Sequence, residues 1–477
     1  MGGAGRRRNA HLSEVSSPGT AKLQLGGPRK KRKAASPFTL VGYSIQHPPM
    51  VPHLITALTG PINELEQRIL DATPVIERWF RLEWMEHTPP LYCSVDIRNA
   101  GFKLAPVDTN LYPDGWHNLS PDTLPLAVQA AQAAIEKICP EARGLMIVPE
   151  NGKPSSFYLA SLERLQQIFR QTGLHVRFGS IDPALKKATS IKLPDGEKIT
   201  LEPALRMRYR LGLKDFDPCT ILLNNDLSAG APGILEDLHE QYLLPPLQAG
   251  WSVRRKSRHF RSYEEVSKRF GKLLGIDPWL INPMFASCGE IDLHEPVGME
   301  CLKSETDALL VKIRRKYKEY GINEKPFVVV KADNGTRGMG IMTVRDAKDL
   351  DQFTRKTRTR TTLQPPSGDV IIQEGVLANE RIHDAVAEPV VYMIDRYVVG
   401  GFYRVHAERG ADENLNAPGA RFVPLAFAGG NQLPRAGVKP GASPPNRFYM
   451  YGVIGRLAMV AASYELEATD PELTDSP

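Results

Sequence analysis

Phe327-Val-Val-Val-Lys331-Ala-Asp-Asn-Gly335-Thr-Arg-Gly338-Met-Gly340-Ile341 reads as a buried strand, a lysine at its tip and a glycine-rich connection. The connection leads into a second strand, Ile341 to Val344. A lysine there, Lys331, aims a fixed cation at whatever lies over the sheet. Gly335, Gly338 and Gly340, in a loop that also carries Thr336 and Arg337, let the backbone approach closely enough for amides to bond phosphate oxygens. The loop lacks the Gly-Lys-Ser/Thr of a Walker A motif. It also runs into a strand, where a dinucleotide-binding turn would run into a helix. A glycine flap over nucleotide phosphates and a plain long hairpin loop both fit this stretch alone.

The residues that follow favour the flap. Asp346 is placed to cap a helix running to about Thr357. Asp369 to Gln373 forms a strand that exits through Gln373-Glu374-Gly375-Val376. Main-chain groups of such an exit can bond an adenine ring, with Glu374 in reach of ribose hydroxyls. Strands Val390 to Ile394 and Arg396 to His406 come next, with the hairpin turn expected at Gly400-Gly401. Arg404 sits among apolar neighbours, so its guanidinium needs an anionic partner. Asp412 to Gly419 then crowds metal-capable oxygens together, notably Glu413, Asn414 and Asn416, the hard donors that Mg²⁺ shares with phosphates.

Upstream, apolar residues recur at helical spacing from 61 to 86, and short strands are expected at Tyr92–Asp96 and Lys103–Val107. Helix Leu124–Cys139, strand Gly144–Pro149, helix Tyr158–Thr172, strand His175–Gly179 and strand Ile221–Asn225 continue the alternation. That pattern predicts α/β organisation around a mainly parallel sheet, with α+β character in the C-terminal part. Residues 262–320 read as mostly helical, broken near 277–298. Arg98, Asn99, Asp108 and Asn110 have strand-end positions and mixed polarity suited to an amino acid's ammonium and carboxylate. Asn224, Asn225 and Asp226 are comparable. Capping and turn roles compete with each. Arg254, Arg255 and Lys256, beside Trp251, suit binding of phosphate or a substrate carboxylate, but a solvated basic face is the preferred reading; His406 reads as a satisfied structural histidine.

Bulk properties exclude several classes. No run of 18 apolar residues marks a membrane span, and no apolar stretch follows the basic N-terminus as a secretory signal requires, so a cytoplasmic protein is expected. Five dispersed cysteines without a C-x-x-C pair speak against a disulfide framework or a cysteine zinc site. The net charge of +6 is local: residues 1–37 hold nine Lys or Arg against one acid, leaving 51 basic and 53 acidic residues elsewhere. Pro28-Arg-Lys-Lys-Arg-Lys33 resembles a nuclear-localisation or nucleic-acid patch, but a solvated appendage upstream of an initiator at Met50 is the preferred reading. The near-neutral body predicts no nucleic-acid partner.

The ordered features from Lys331 to Asn416 resemble the ATP-grasp superfamily. The resemblance implies that Lys331 contacts phosphate, Gly335, Gly338 and Gly340 form the flap, Gln373 to Val376 hold adenine, and Arg404 touches the transferred phosphoryl group. One departure concerns the metal ligands. The superfamily pattern is Glu-x-Asn, whereas here Glu413 is followed by Asn414 and Asn416, and the further acid expected could be Asp395, Glu388 or Asp412. Pro89 to Asn110, Lys331 to Gly340, Tyr403 to His406 and Glu413 to Gly419 further resemble the ATP-grasp type of bacterial glutamate–cysteine ligase, over roughly residues 50 to 465. That resemblance implies glutamate, cysteine and ATP as substrates and Mg²⁺ or Mn²⁺ as the ion. The expected division is a disordered basic extension over 1–49, an N-terminal α/β substrate domain over 50–235 and a mostly helical linking region over 236–320. An ATP-grasp region over 321–465 and a disordered tail over 466–477 complete the division. Two alternatives stay open: a ligase acting on a peptide or protein carboxylate, and a non-catalytic binding protein using the basic tail.

Overall fold

Alternating apolar stretches in the first half of the chain fold as helices and strands in turn. The computed structural model describes residues 61–194, 196–291, 296–335, 341–351, 368–425 and 447–471. The expected extension over 1–49 therefore lies outside the described residues. Helices α1 (Pro61–Asp71) and α2 (Thr73–Glu86) precede β1 (Tyr92–Asn99) and β2 (Leu104–Asn110). Then come α3 (Leu124–Ile138), β3 (Gly144–Pro149), α4 (Ser156–Gln171) and β4 (His175–Ser180). Ser155 starts α4, its hydroxyl accepting the Tyr158 N–H at 3.2 Å. Strands β5 (Thr189–Lys192), β6 (Lys198–Pro203), β7 (Leu205–Met207), β8 (Arg210–Gly212), β9 (Thr220–Asn224) and β10 (Tyr242–Leu244) follow. One sheet has the order β10-β9-β3-β4-β6-β5 and is parallel except at β5. Every residue of β3 is buried, as a parallel strand covered on both faces demands.

The middle of the chain builds a second, antiparallel sheet. Helix α5 (Lys256–Leu274) stops at Gly275, whose φ of +63° gives the left-handed cap that glycine supplies without strain. Strand β11 (Phe285–Ile291), helix α6 (Pro296–Glu319), and strands β12 (Val328–Ala332), β13 (Met342–Val344) and β14 (Gly368–Glu374) follow. Their order is β11-β14-β12-β13. The sequence predicts β12, β13 and β14, but only helix and breaks over residues 262–320. Strand β11 occupies the break instead, fixed by pairing with β14 in the register Phe285↔Gln373.

The third sheet crosses the expected domain boundaries. Strands β15 (Glu380–Ile382), β16 (Ala385–Ile394), β17 (Tyr397–His406) and β18 (Arg421–Pro424) precede helix α7 (Arg447–Glu467). The order is β18-β17-β16-β1-β2, with β15 beside β16. Thus β1 and β2, expected in an N-terminal domain over 50–235, pair with the C-terminal strands through Tyr92↔Ile394 and Asp96↔Val390. The β16–β17 turn falls at Asp395-Arg396, and not at Gly400-Gly401, which lie inside β17. Asp395 adopts φ +49°, a left-handed conformation that aspartate tolerates in tight hairpins. Gly401 serves close approach: a Cβ there would lie 2.6 Å from the Val390 carbonyl oxygen. Helix α7 is apolar all round and buried against α5, β1, β2 and β16, so no amphipathic stripe announces it in sequence. It runs to Glu467, inside the expected disordered tail, and Glu467 meets His87 Nδ1 at 2.8 Å. Residues 472–477 lie outside the description.

Candidate active site

A cleft enclosing about 130 Å³ opens among the described residues. One wall comes from the β12–β14 sheet and includes Val329, Lys331, Gly335, Thr343, Gln373 and Val376. The other comes from β1, β2, β16 and the turn after β17: Asp96, Arg98, Asp108, Glu388 and the Asp412–Asn416 stretch, with Lys256 from the start of α5. Residues far apart in the chain therefore face one space.

Lys331 ends β12 as the sequence predicts, and its Nζ donates to the Val107 carbonyl at 2.8 Å. Burial pushes its pKa down to about 8, with Asp108 opposing and Lys256 adding to the shift. Gly335 lines the same wall with φ +98°, a conformation that favours glycine. Thr336, Arg337, Gly338 and Gly340 lie outside the described residues.

The β14 exit differs in detail from its sequence reading. The carboxylate of Glu374, expected beside ribose hydroxyls, is instead engaged by Lys103 Nζ at 2.7 Å, Trp279 Nε1 at 3.0 Å and the Met284 N–H at 2.9 Å. The backbone amides of Glu374 and Gly375 donate to the carbonyls of Met284 and Phe327 at 2.7 and 2.8 Å. The exit lines the cleft through Gln373, Glu374 and Val376, and the buried Gln373 Nε2 has no partner among the described residues. Gly375 is required by packing, since a Cβ there would lie 2.1 Å from the Phe327 ring. Gly375→Ala is expected to destabilise the protein by about 1–3 kcal/mol, because the enclosed ring must shift. A lowered thermal midpoint checks this; an unchanged one contradicts it.

Two guanidinium groups and two carboxylates interlock beside the cleft. Arg404, expected to touch the transferred phosphoryl group directly, stands one layer behind the wall. It meets Asp96 Oδ2 and Glu388 Oε1, each at 2.7 Å, so the chain itself supplies the anionic partners its burial demands. Glu388 Oε2 accepts Arg98 Nε at 2.8 Å, and Arg98 also donates to the carbonyls of Val376 (3.2 Å) and Glu413 (2.6 Å). Burial works to raise the Glu388 pKa, but Arg98 and Arg404 outweigh it and keep the group below the usual range. For Asp96 burial prevails over Arg404, and its pKa is raised. No alternation or motif announced this array, because its members come from three strands joined only by folding.

The other candidates divide. Asp108 lines the cleft and accepts Lys256 Nζ at 2.7 Å. Asn99 does not line it; it donates to Glu380 at 3.0 Å and accepts the Gly101 N–H at 2.9 Å. Asn110 accepts the Tyr112 N–H at 2.9 Å in a local turn. Asn224 and Asn225 bind the carbonyls of Pro113 and Pro149, and Asp226 accepts the Ser228 N–H, so this trio stabilises turns. The run at 254–256 is not a solvated face: Arg254 pairs with buried Glu465 at 3.0 Å, Arg255 with Asp369 at 3.2 Å and Lys256 with Asp108. His406 is buried, with its ring nitrogens meeting the Pro418 carbonyl and the Glu408 N–H, a structural histidine.

Asp412, Glu413, Asn414 and Asn416 all reach the cleft, whereas Asp395 sits in the distant hairpin turn. Glu413 accepts the Gly410 N–H at 2.6 Å and Arg409 Nη1 at 3.2 Å, with its pKa lowered chiefly by the Gly410 bond. Asp412 pairs with Arg345. No group of three or more His, Cys, Asp or Glu among the described residues could hold a metal ion alone. An oxygen-only set of this kind fits a hard cation that shares its shell with substrate phosphates.

Comparison with known proteins accords with this geometry. A family profile described as glutamate–cysteine ligase matches residues 66–466. A crystal structure assigned as a gamma-glutamylcysteine synthetase from Methylobacillus flagellatus KT is 55% identical, superposes with a TM-score of 0.81, and covers 88% of this chain and 100% of its own. D-alanyl-alanine synthetase A from Vibrio cholerae O1 biovar eltor aligns at 12% identity and a TM-score of 0.31, over 66% of this chain and 81% of its own. A glutathione synthetase-like effector from Globodera pallida aligns at 10% and 0.33, over 72% and 77%. No curated protein matches the sequence. Among the described residues no helix is long and apolar enough to cross a membrane. Enzymes of the matched family are ATP-dependent ligases that act on small molecules and use ATP with a divalent metal ion. The profile match over most of the chain, together with the relative that superposes along its whole length, shows that this protein belongs to the glutamate–cysteine ligase family.

Proposed function

We propose that the cleft between the two antiparallel sheets joins the γ-carboxylate of L-glutamate to the amine of L-cysteine, with ATP converted to ADP and phosphate. The observation that carries this is one space shared by Lys331 and the β14 exit on one wall and by Arg98, Glu388 and the Asp412–Asn416 oxygens on the other. A carboxylate oxygen attacks the γ-phosphorus, giving an acyl phosphate and ADP. The cysteine amine then attacks the acyl carbon, loses a proton and expels phosphate. Lys331 neutralises charge on the moving phosphoryl group, since such transfers depend on positioning and electrostatics more than on covalent help. Gln373 and Val376 line the end where the base lies. Arg404 acts through others, holding Asp96 and Glu388, and through Glu388 it fixes Arg98. Asp412, Glu413, Asn414 and Asn416 would hold Mg²⁺, which when bound supplies charge neutralisation at the phosphates.

ADP release measured with glutamate alone, cysteine alone and both together tests the reading. Steady turnover is expected only with both. Steady turnover with either amino acid alone, or none with the pair, contradicts it.

A further inference from the structure

A ligase that activates the γ-carboxylate of glutamate must keep the chemically similar α-carboxylate away from the phosphates. We propose that Asp108 and Lys256 hold the zwitterionic head of the donor glutamate, Asp108 taking the α-ammonium and Lys256 the α-carboxylate. The proposal rests on the ligase reading above. In the cleft wall these two side chains present opposite charges 2.7 Å apart, the complement of an amino acid's own head group. They differ usefully in access: Asp108 is 40% exposed, whereas Lys256 is 8% exposed. The Lys256 amine lies 4.2 Å from the centroid of the Trp251 indole, which restrains it.

The pair is also firmly placed relative to the phosphate side. Lys256 opens helix α5, and its N–H donates to the Asp333 carbonyl at 2.8 Å, two residues beyond Lys331. The Asp333 carboxylate in turn accepts the Ser257 N–H and hydroxyl, both at 2.6 Å. Asp108 follows Val107, whose carbonyl receives Lys331. Head-group pair and phosphate-side lysine are thus joined by single residues, a rigid spacing that suits holding one end of a five-carbon diacid while the other reacts. Burial works to raise the Asp108 pKa, but Lys256 and Lys331 outweigh it, so the carboxylate stays ionised across the physiological range. The acceptor is the poorer occupant. Its amine must be free to attack, and a carboxylate bound to it would keep it protonated.

The test compares kcat/KM for glutamate, glutarate (which lacks the ammonium) and 4-aminobutyrate (which lacks the α-carboxylate), each with cysteine and ATP. For the unmodified enzyme both analogues are expected to be about a hundredfold or more poorer, because each forfeits one of the two charge-assisted contacts that orient the γ-carboxylate. In Asp108→Asn the glutamate-to-glutarate ratio is expected to fall by about tenfold or more while the 4-aminobutyrate ratio holds; in Lys256→Met the converse. Glutarate used as well as glutamate by the unmodified enzyme overturns the proposal without any variant being needed. So do variants that keep both ratios, or that alter only the KM for ATP, which would assign Lys256 to phosphate. Failure of the ligase reading looks different: no ADP release with glutamate and cysteine at all.

Discussion

Lys331→Met is expected to slow ADP formation about a hundredfold to a thousandfold, the loss typical when a preorganised charge contact to a developing anion is removed. Methionine keeps an apolar stem against Phe260, over whose ring the Lys331 amine lies 5.6 Å from the centroid, so the fold should survive. The pH dependence is a second signature. Burial brings the Lys331 pKa down to about 8, so the side chain is a cation below that pH and loses its charge above it. In the free enzyme kcat/KM for ATP should therefore decline as pH rises through about 8. Lys331→Arg, which stays charged, should move that decline to higher pH or abolish it. Near-normal turnover in Lys331→Met would remove the assigned phosphate contact.

Glu388→Ala is expected to produce the largest loss of stability, about 3–5 kcal/mol, because it withdraws one anion from two buried cations. Glu388 is 2% exposed and bonds Arg404 at 2.7 Å and Arg98 at 2.8 Å. Arg404 retains Asp96, but Arg98 is left with only the carbonyls of Val376 and Glu413. Adding Arg98→Met should recover part of the loss, since the coupled pair does not behave additively. Thermal and denaturant unfolding measure both effects. A Glu388→Ala protein as stable as the parent would mean that the array is not held as described.

Local patterns made much of this site legible. The strand Val328–Ala332 with Lys331 at its tip, the exit at Gln373–Val376 and the oxygen-rich Asp412–Asn416 turn are all short-range features, and each faces the cleft. So are the buried strand Gly144–Pro149 and helix Ser156–Gln171, whose periodicity is read directly. Long-range pairing was not legible. Nothing near Tyr92 says that its strand will lie beside Ile394, and nothing near Lys256 says that its partner is Asp108. Charge alone made residues 254–256 look like solvated surface, yet Arg254 is buried on Glu465. Glu374 is the reverse case: its place after the strand suggested a ligand contact, and it lines the cleft, but Lys103 and Trp279 engage its carboxylate. Helix Arg447–Glu467 escaped because burial on all sides erases the polar stripe that marks a surface helix.

The most direct test is a crystal structure with a non-hydrolysable ATP analogue and Mg²⁺. The triphosphate should lie within hydrogen-bonding reach, about 3 Å, of Lys331 Nζ, with the base against Gln373 and Val376. A nucleotide bound elsewhere, with Lys331 still bonded only to the Val107 carbonyl, would contradict the account.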